Sequence, residues 1–159
     1  MSAQLDSYDL KLLMAVQQDA RTPQNELGEA VSLSTAAVNR RLKRLGEEGV
    51  IERYTAVVSP DAVGYGLTII AMVEVESEQI DQLDATRRSF TACPQVQQCY
   101  YVAGEWDFVL LFVVQHMEQY NGLTRQLFFG NANVKRFKTL VAMSRDKVGL
   151  ALPLELGAG

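Results

Sequence analysis

The chain contains few of the features that mark exported, membrane-spanning or disulfide-stabilised proteins. It has no apolar segment of the roughly 18 residues that a membrane-spanning helix needs, and no basic start followed by an apolar run. It has only two cysteines, Cys93 and Cys99, whose spacing is typical of neither a metal site nor a disulfide framework. We therefore expect a cytoplasmic protein without membrane contact, in which both thiols are reduced and structural.

Catalytic motifs are also missing. The sequence contains no glycine-rich phosphate loop, no pair of histidines and no nucleophile elbow. The lone histidine, His116, lies next to no other candidate metal ligand or nucleophile, and we expect it at the exposed start of a helix. The sequence therefore predicts no catalytic residue, no metal site and no cofactor.

The chain has no excess of basic residues either. Its formal net charge is −4, and residues 1–59 carry seven basic and eight acidic side chains. Proteins that bind nucleic acids are more often basic. Any contact with DNA must therefore come from a local basic patch.

One such patch lies in residues 33–54, where Ser34 is placed to cap a helical pattern that carries four basic side chains. Val38, Leu42 and Leu45 are spaced as one buried stripe of this helix. The small residues after the cap would let the start of the helix enter a DNA major groove about 12 Å wide. The side chains expected at base edges are Thr35, Asn39 and Arg40, and those expected at phosphates are Arg41, Lys43 and Arg44. Together with the cap Ser34, these are the seven predicted DNA-binding residues. The alternative is a solvated charged face without a ligand.

Two further helical segments precede this patch. The first repeats apolar residues on one helical face, and the second follows an expected cap and first-turn proline at Thr22 and Pro23. The connection from the second helix to the basic helix is short, as in a helix-turn-helix. The β-branched run at residues 50–59 is expected to form a wing. Residues 1–59 therefore predict a winged helix-turn-helix domain that binds double-stranded DNA.

A change of pattern at residues 60–66, which contain one proline and two glycines, predicts a linker. Beyond it, apolar runs typical of strands alternate with helical periodicity. The predicted elements are a strand at residues 67–75, a helix from about residue 80 to 93, strands at 96–103 and 107–114, a helix at about 117–128 and a strand at 134–143. This β-α-β-β-α-β order predicts a ferredoxin-like domain over residues 67–150 and an α+β fold for the whole chain. Residues 151–159 form a tail to which we assign no structure.

Both faces of the predicted sheet are apolar. With helices on one side only, each strand should alternate between apolar and polar residues, yet residues 108–114 are apolar throughout. Exposed apolar area costs about 25 cal/mol per Å² relative to burial, so we expect a second copy of the chain to cover the open face. Such a homodimer would place two helix-turn-helix units to read DNA half-sites about one helical turn apart, or a multiple of it.

The spacing of several residues resembles the signature of the Lrp/AsnC, or feast/famine, transcription regulators of bacteria and archaea. The residues that carry the resemblance in the first domain are Leu5, Asp6, Asp9, Leu33, Ser34, Val38, Arg41, Arg44, Leu45, Gly49, Ile51 and Tyr54. Residues 102–108 are similar to the glycine-acid-aromatic-aspartate loop of the family's ligand-sensing domain, and the resemblance covers about residues 5–148. The family usually has glycine where this chain has Ser32. We expect a slightly altered turn there, because a left-handed turn strains serine.

The resemblance implies that a small effector, often an amino acid, binds between sensing domains and changes DNA binding or the assembly of dimers into tetramers or octamers. The effector-binding residues carried over by motif are Tyr101, Gly104, Glu105, Asp107, Met117, Val141 and Ala142. The loop suits a zwitterion, since turn amides can hold a carboxylate and Asp107 can pair with an ammonium group. Alternatively, Gly104 and Asp107 serve only the turn between two strands.

We therefore expect a sequence-specific DNA-binding transcriptional regulator whose oligomeric sensing domain responds to a small effector. One alternative is a metabolite-sensing module whose first domain contacts a protein instead of DNA. A less favoured alternative is an enzyme, since small ferredoxin-like dimers host catalysis elsewhere. An enzyme would require Asp107, Glu105 and His116 to converge in one pocket.

Overall fold

A computed structural model describes residues 4–156 of the chain. These residues form two compact units. The first unit contains residues 4–56 together with residues 148–156, and the second contains residues 57–147. The second unit is thus inserted between two segments of the first, whereas the sequence suggested a succession of domain, linker, domain and tail.

The first unit is built on three helices. They are α1 at Ser7–Gln18, α2 at Gln24–Val31 and α3 at Thr35–Glu47. The Ser34 hydroxyl accepts a hydrogen bond from the Ala37 amide at 3.2 Å, which confirms Ser34 as the cap of α3. The predicted cap of α2 is wrong. Pro23 occupies the cap position instead. The Thr22 hydroxyl does not cap the helix, because it donates to the Asp19 carbonyl at 2.9 Å in the turn after α1.

The turn between α2 and α3 keeps a left-handed geometry. Ser32 has φ 60° and ψ 45°, so the expected alteration of the turn is wrong. The serine takes the conformation that suits glycine, at a cost of about 1 to 2 kcal/mol. The Leu33 amide donates to the Gly28 carbonyl at 2.8 Å and closes the turn. Gly28, which the sequence did not single out, cannot carry a side chain without a shift, because a Cβ there would lie 2.5 Å from the Leu33 carbonyl oxygen.

Residues 50–59 do not form the predicted wing strand. They contain no helix or strand, and the side chains of Tyr54, Val57 and Val58 are exposed. A strand is stable only with hydrogen-bonded neighbours, and the described part of the first unit contains no strand that could pair with this segment. The segment leads into a short 3-10 turn at Asp61–Val63, within the predicted linker.

The described part of the tail is held against α1 by one side chain. The Leu152 amide donates to Gln17 Oε1 at 2.7 Å, and Gln17 Nε2 donates to the Leu152 carbonyl at 3.2 Å. Residues 148–156 contain no helix or strand, as expected for the tail, but they belong to the first unit. Residues 157–159 lie outside the described residues.

The second unit is a four-stranded antiparallel sheet with two helices. The strands are β1 at Leu67–Val75, β2 at Val96–Tyr101, β3 at Phe108–Val114 and β4 at Val134–Val141, and the helices are α4 at Ile80–Thr91 and α5 at Met117–Thr124. The spatial order β2-β3-β1-β4 confirms the predicted β-α-β-β-α-β arrangement. The bounds of β1 match the prediction, whereas β2 and β4 end earlier. Helix α5 is also shorter than predicted and continues as a π-helical turn at Arg125–Phe129.

The core of the second unit lies between the helices and one face of the sheet. Ile69, Val73 and Phe112 are completely buried on this face. Phe90 of α4 packs edge-to-face on Phe108 of β3, with ring centres 5.4 Å apart. The helices therefore cover the centre of this face, which β1 and β3 form.

The opposite face of the sheet, here called the open face, carries apolar side chains that no described residue covers. These side chains are Ile70, Met72, Val109, Leu111 and Leu140, which the register places beside one another. Leu140 is 41% exposed, and the other four are half-buried by their neighbours in the sheet. The apolar second face that the sequence indicated is therefore present.

Candidate DNA-reading face and effector loop

The exposed face of α3 is formed by residues spaced three or four apart. Ala36, Arg40 and Lys43 are exposed and share a sector of about 60°, since each residue of an α-helix turns by about 100°. Arg40 makes no hydrogen bond or ion pair to another residue that the structure describes, and Lys43 Nζ lies 3.8 Å from Glu47 Oε1 at the surface. Exposed ion pairs are weak. Both cations are therefore available to a ligand.

Thr35 and Asn39 lie beside this sector and are also exposed. Asn39 Nδ2 donates to Gln24 Oε1 of α2 at 3.1 Å, which leaves the Asn39 amide oxygen as an acceptor. Thr35, Asn39, Arg40 and Lys43, four of the seven predicted DNA-binding residues, are thus exposed on α3, and a fifth, Ser34, caps the start of the helix.

Carboxylates bind the other two, Arg41 and Arg44. Arg41 Nη1 donates to Asp6 Oδ2 and to Asp9 Oδ1, each at 2.8 Å. Arg44 Nη2 lies 2.6 Å from Asp9 Oδ2, and Arg44 Nη1 lies 3.1 Å from Glu48 Oε2. Carboxylates at the start of α1 and at the end of α3 therefore hold both arginines that the sequence assigns to phosphates.

Asp6, Asp9, Arg41 and Arg44 together form what we call the α1–α3 ion-pair cluster. Burial acts to raise the pKa of Asp9, but hydrogen bonds from Arg44 and Arg41 outweigh it and hold that pKa below its ordinary value. The Asp9 amide, and then Arg41, lower the pKa of Asp6. The carboxylates in turn raise the pKa of both arginines, so all four groups are charged at neutral pH. The sequence shows the two aspartates as a helix cap, but not their arginine partners.

The end of β2 and the loop that follows it contain four of the predicted effector-binding residues, namely Tyr101, Gly104, Glu105 and Asp107. Gly104 is exposed and has φ +148°, a conformation that side chains rarely adopt. Asp107 Oδ2 accepts a hydrogen bond from the Val75 amide at 2.7 Å, and the Asp107 amide donates to the Val73 carbonyl at 2.9 Å. Asp107 therefore braces the end of β1, and only its Oδ1 has no partner within the described chain.

Glu105 belongs to a charged group at the same end of the sheet. Arg136 Nη2 of β4 donates to Glu105 Oε1 at 3.3 Å, and Arg136 Nε donates to Glu74. Lys135 Nζ also binds Glu74, at 2.7 Å, and these two cations hold the pKa of Glu74 below its ordinary value. The Arg136 guanidinium lies 4.7 Å from the centre of the Trp106 ring, in a cation–π contact. The sequence did not indicate Arg136, because its partners lie far away along the chain.

Tyr101 faces the helices rather than the open face. It pairs with Phe108 in the sheet, and the two rings lie 5.3 Å apart. The Arg87 guanidinium of α4 lies 5.8 Å from the Tyr101 ring. The ring is still 48% exposed, which leaves one side open to a ligand.

Three predicted effector-binding residues, Met117, Val141 and Ala142, lie at the opposite end of the sheet. Phe108, at the loop end of β3, pairs with Val73, whereas Val114, at its other end, pairs with Leu67. Six residue steps along a strand, at about 3.3 Å each, separate the two ends by about 20 Å. Helix α5 starts just beyond the second end, and β4 finishes there. A single chain therefore does not bring all seven residues together.

The residues required for the enzyme alternative do not converge. Asp107 precedes β3 and His116 follows it, so the full length of this strand separates them. His116 Nδ1 accepts from the Gln119 amide at 3.2 Å and caps α5, which confirms its expected place at a helix start. Among residues 4–156, no cluster of side chains is suited to hold a metal ion, and no helix combines the length and apolar character needed to cross a bilayer.

The chain matches two protein-family models. One, described as winged helix-turn-helix DNA-binding, matches residues 5–52, and the other, described as the Lrp/AsnC ligand binding domain, matches residues 68–151. An uncharacterized HTH-type transcriptional regulator of Sinorhizobium fredii is 43% identical over 153 residues, which cover 96% of this chain and 90% of that protein. The leucine-responsive regulatory protein of Rhizobium meliloti is 30% identical over 144 residues, which cover 91% of this chain and 92% of that protein.

A solved structure is similar over nearly the whole chain. It is the crystal structure of a transcriptional regulator from Neisseria meningitidis in complex with L-Met, with a TM-score of 0.88 and 27% identity, and it covers 94% of this chain and 97% of its own. The matched proteins are transcriptional regulators, not enzymes. The chain therefore belongs to the Lrp/AsnC family of DNA-binding transcriptional regulators, and its second unit is the ligand-binding domain of that family.

Proposed function

We propose that this protein is a homo-oligomeric regulator that reads specific sites in double-stranded DNA with α3 and responds to an amino acid held by its second unit. The observation that carries the DNA-reading role is the exposed face of α3, where a small side chain and two cations project from a capped helix. Regulation of transcription requires the protein to meet the chromosome, so we place it in the cytoplasm.

The start of α3 would enter the major groove. Ala36 is small enough to allow a close approach, and Thr35 and Asn39 offer a hydroxyl and an amide oxygen to base edges. Arg40 can reach a base edge, and Lys43 a phosphate. Ser34 acts indirectly, because it fixes the first turn from which these side chains project.

Selection of DNA from a random pool tests these roles. Asn39→Ala should change which duplex the protein enriches, because a base contact is lost, whereas Lys43→Gln should weaken binding to every duplex by a similar factor. Glu29→Gln, at an exposed position of α2, is a control for the change of charge. If Asn39→Ala weakens all duplexes equally and enriches the parental sequence, the assignment of Asn39 to a base is wrong.

The apolar side chains of the open face favour a homodimer in which a second copy of the chain covers this face. Its apolar side chains come from β1, β3 and β4, and water on them costs about 25 cal/mol per Å². Self-association about a two-fold axis buries the same surface on both copies. Leu111→Asp should therefore convert the dimer into a folded monomer, which analytical ultracentrifugation would detect. A parent protein that is monomeric at micromolar concentration contradicts the proposal.

The two separated groups of effector-binding residues support a site shared between copies. A two-fold axis that runs across the strands would place the loop end of one sheet against the α5 end of its partner. Loop amides and Asp107 Oδ1 would then meet the carboxylate and ammonium groups of an amino acid, and Met117 and Val141 would meet its side chain. The L-Met complex from Neisseria meningitidis and the leucine-responsive protein from Rhizobium meliloti support this ligand class.

Subunit mixing tests the shared site. Gly104→Val should disturb the loop because valine disfavours φ +148°. Met117→Glu should place a charge in the side-chain pocket, while an acidic residue in the first turn suits helix α5. Calorimetry with L-methionine and L-leucine should find no binding to either variant alone.

An exchanged mixture of the two variants should regain roughly a quarter of the parental sites, because each mixed dimer contains one intact site. A mixture that exchanges subunits but regains no site would show that each site lies within one chain. Variants that each bind like the parent would show that the site is elsewhere.

A further inference from the structure

The α1–α3 ion-pair cluster connects two helices through one buried carboxylate. Asp9 is 1% exposed, and its two oxygens bind two different arginines of α3. Arg41 also lies over the Tyr8 ring, with its guanidinium carbon 5.5 Å from the ring centre. Both arginines are therefore held on the α1 side of α3.

We propose that Asp9 is a positioning residue for DNA recognition: it fixes the rotation of α3 about its axis and keeps Arg41 and Arg44 from contacting phosphates. This proposal rests on DNA reading by α3.

The geometry explains how one carboxylate can set a rotation. Arg41 and Arg44 are one turn apart, so their attachment points differ by about 4.5 Å along the axis and about 60° around it. A rotation of α3 would stretch at least one of the two contacts with Asp9, which are 2.8 and 2.6 Å long. A buried carboxylate that loses its partner is strongly disfavoured, which resists such a rotation.

Helix capping alone does not account for this arrangement. The cap of α1 uses the Asp6 carboxylate, which accepts from the Asp9 amide at 2.8 Å, and the reciprocal bond from the Asp6 amide to Asp9 Oδ2 is 3.2 Å long. An exposed carboxylate could make both bonds. The burial of Asp9 is therefore explained by its contacts with the arginines and not by helix capping.

The α1–α3 ion-pair cluster divides the four cations of α3 into two that are available to DNA and two that are not. Arg40 and Lys43 face the solvent, where Arg40 can reach a base edge and Lys43 can neutralise a phosphate. Arg41 and Arg44, in contrast, are already neutralised within the unit. Each phosphate that a protein neutralises contributes about 0.9 to the slope of log affinity against log salt concentration. That slope therefore counts the cations that contact DNA.

The first experiment measures this slope with a random-sequence duplex and with the duplex that the parent enriches from a random pool. Lys43→Gln should flatten the slope by about 0.9 per bound α3, whereas Arg40→Gln, which removes a contact assigned to a base edge, should mainly reduce the preference for the enriched duplex. Arg41→Gln and Arg44→Gln should leave the slope at its parental value, even where they lower the affinity for the enriched duplex. A flattening by Arg41→Gln or Arg44→Gln equal to that of Lys43→Gln would overturn the proposal.

The second experiment releases the arginines. Asp9→Asn should steepen the salt slope, tighten binding to the random duplex and reduce the preference for the enriched duplex, because two guanidinium groups become available and α3 is less constrained. Glu29→Gln removes the same charge from an exposed position and should not reduce the preference. A folded Asp9→Asn protein with the parental slope and preference would contradict the proposal.

Two controls keep the outcomes distinct. Far-ultraviolet circular dichroism reports whether Asp9→Asn retains its helices at the assay temperature. If it does not, the Arg41→Gln and Arg44→Gln slopes alone decide the question. A parent that binds no duplex refutes DNA reading by α3 itself, whereas a parent that binds DNA with slopes set by Arg41 and Arg44 refutes only the positioning role.

Discussion

The two units of the molecule are stabilised by different kinds of interaction. The core of the first unit centres on four aliphatic residues, Leu12, Leu27, Val31 and Val38. The core of the second unit contains five buried aromatic residues, Phe90, Phe108, Phe112, Tyr120 and Phe128, together with aliphatic side chains. Only in the first unit does the described chain bury a charged side chain, that of Asp9.

This difference indicates how each unit tolerates change. Interlocking aromatic rings bury large areas, and the stability of the second unit therefore depends mainly on close packing. The small core of the first unit leaves more of its stability to a tight turn and to the α1–α3 ion-pair cluster. The unit that reads DNA should therefore respond to backbone strain and pH, and the sensing unit to cavities.

The largest expected effect is a cavity in the second unit. Phe90→Ala should lower the free energy of unfolding of this unit by about 3 to 5 kcal/mol, because the ring packs against both Phe108 and Phe128. Urea unfolding followed by near-ultraviolet circular dichroism measures this loss. Phe129→Ala removes the same ring from a position that is 75% exposed, and should cost far less. Equal losses would show that the aromatic core is not the main source of stability.

The next effect concerns the turn of the first unit. Gly28→Ala should destabilise this unit by about 1 to 3 kcal/mol, because the new Cβ would lie 2.5 Å from the Leu33 carbonyl oxygen. Gly46→Ala is the matched control, since a Cβ there meets nothing within 4 Å and alanine favours a helix. Thermal unfolding should therefore shift in opposite directions for the two variants. A neutral Gly28→Ala would mean that the turn can relax.

A smaller effect is expected at the left-handed residue. Ser32→Gly should relieve about 1 to 2 kcal/mol of strain. The extra freedom of glycine in the unfolded chain offsets about 0.5 to 1 kcal/mol of this gain. The variant should therefore melt slightly higher than the parent, and Ser32→Val should melt lower, because a β-branched residue is poorly suited to φ 60°. If Ser32→Gly melts lower than the parent and Ser32→Val melts higher, the strain assigned to Ser32 is wrong.

The smallest expected signal is a difference in acid sensitivity between the units. The pKa of Asp9 is lowered by folding, so its contribution to stability is present above its ordinary pKa of 3.8 and is lost as the pH falls through the folded value. Asp9→Asn should flatten the acid dependence of the first unit and leave that of the second unchanged. The free energy of unfolding of each unit, measured at several acidic pH values, tests this prediction. If the stability of the first unit depends on acid in the same way in Asp9→Asn as in the parent, groups other than Asp9 cause that dependence.

Elements whose signal is local could be predicted from the sequence. The bounds of β1 were correct, because its mostly apolar run begins after Gly66 and ends before the polar residues Glu76 and Ser77. The cap at Ser34 was also correct, because a hydroxyl followed by small residues defines a helix start within four positions. The order of strands and helices follows from the same kind of local pattern.

Features that depend on distant partners could not be predicted in this way. The periodicity of α3 shows which residues leave its buried stripe, but not that Asp9, more than 30 positions earlier, binds Arg41 and Arg44. The strand expected at residues 50–59 is absent for a related reason, since a β-branched run forms a strand only beside another strand. The effector-binding residues were individually plausible, yet sequence order does not reveal that they occupy opposite ends of the sheet.

The stacking of Arg136 on Trp106 makes the loop between β2 and β3 observable without a label. Trp106 is the only tryptophan in the chain, and Glu105 lies next to it in sequence and binds the same guanidinium. Indole fluorescence responds to nearby charge and to water, so all of the tryptophan emission of the protein comes from this one loop. A charged ligand that displaces Glu105 or Arg136 would change the intensity or colour of that emission, and the native protein would report its own occupancy.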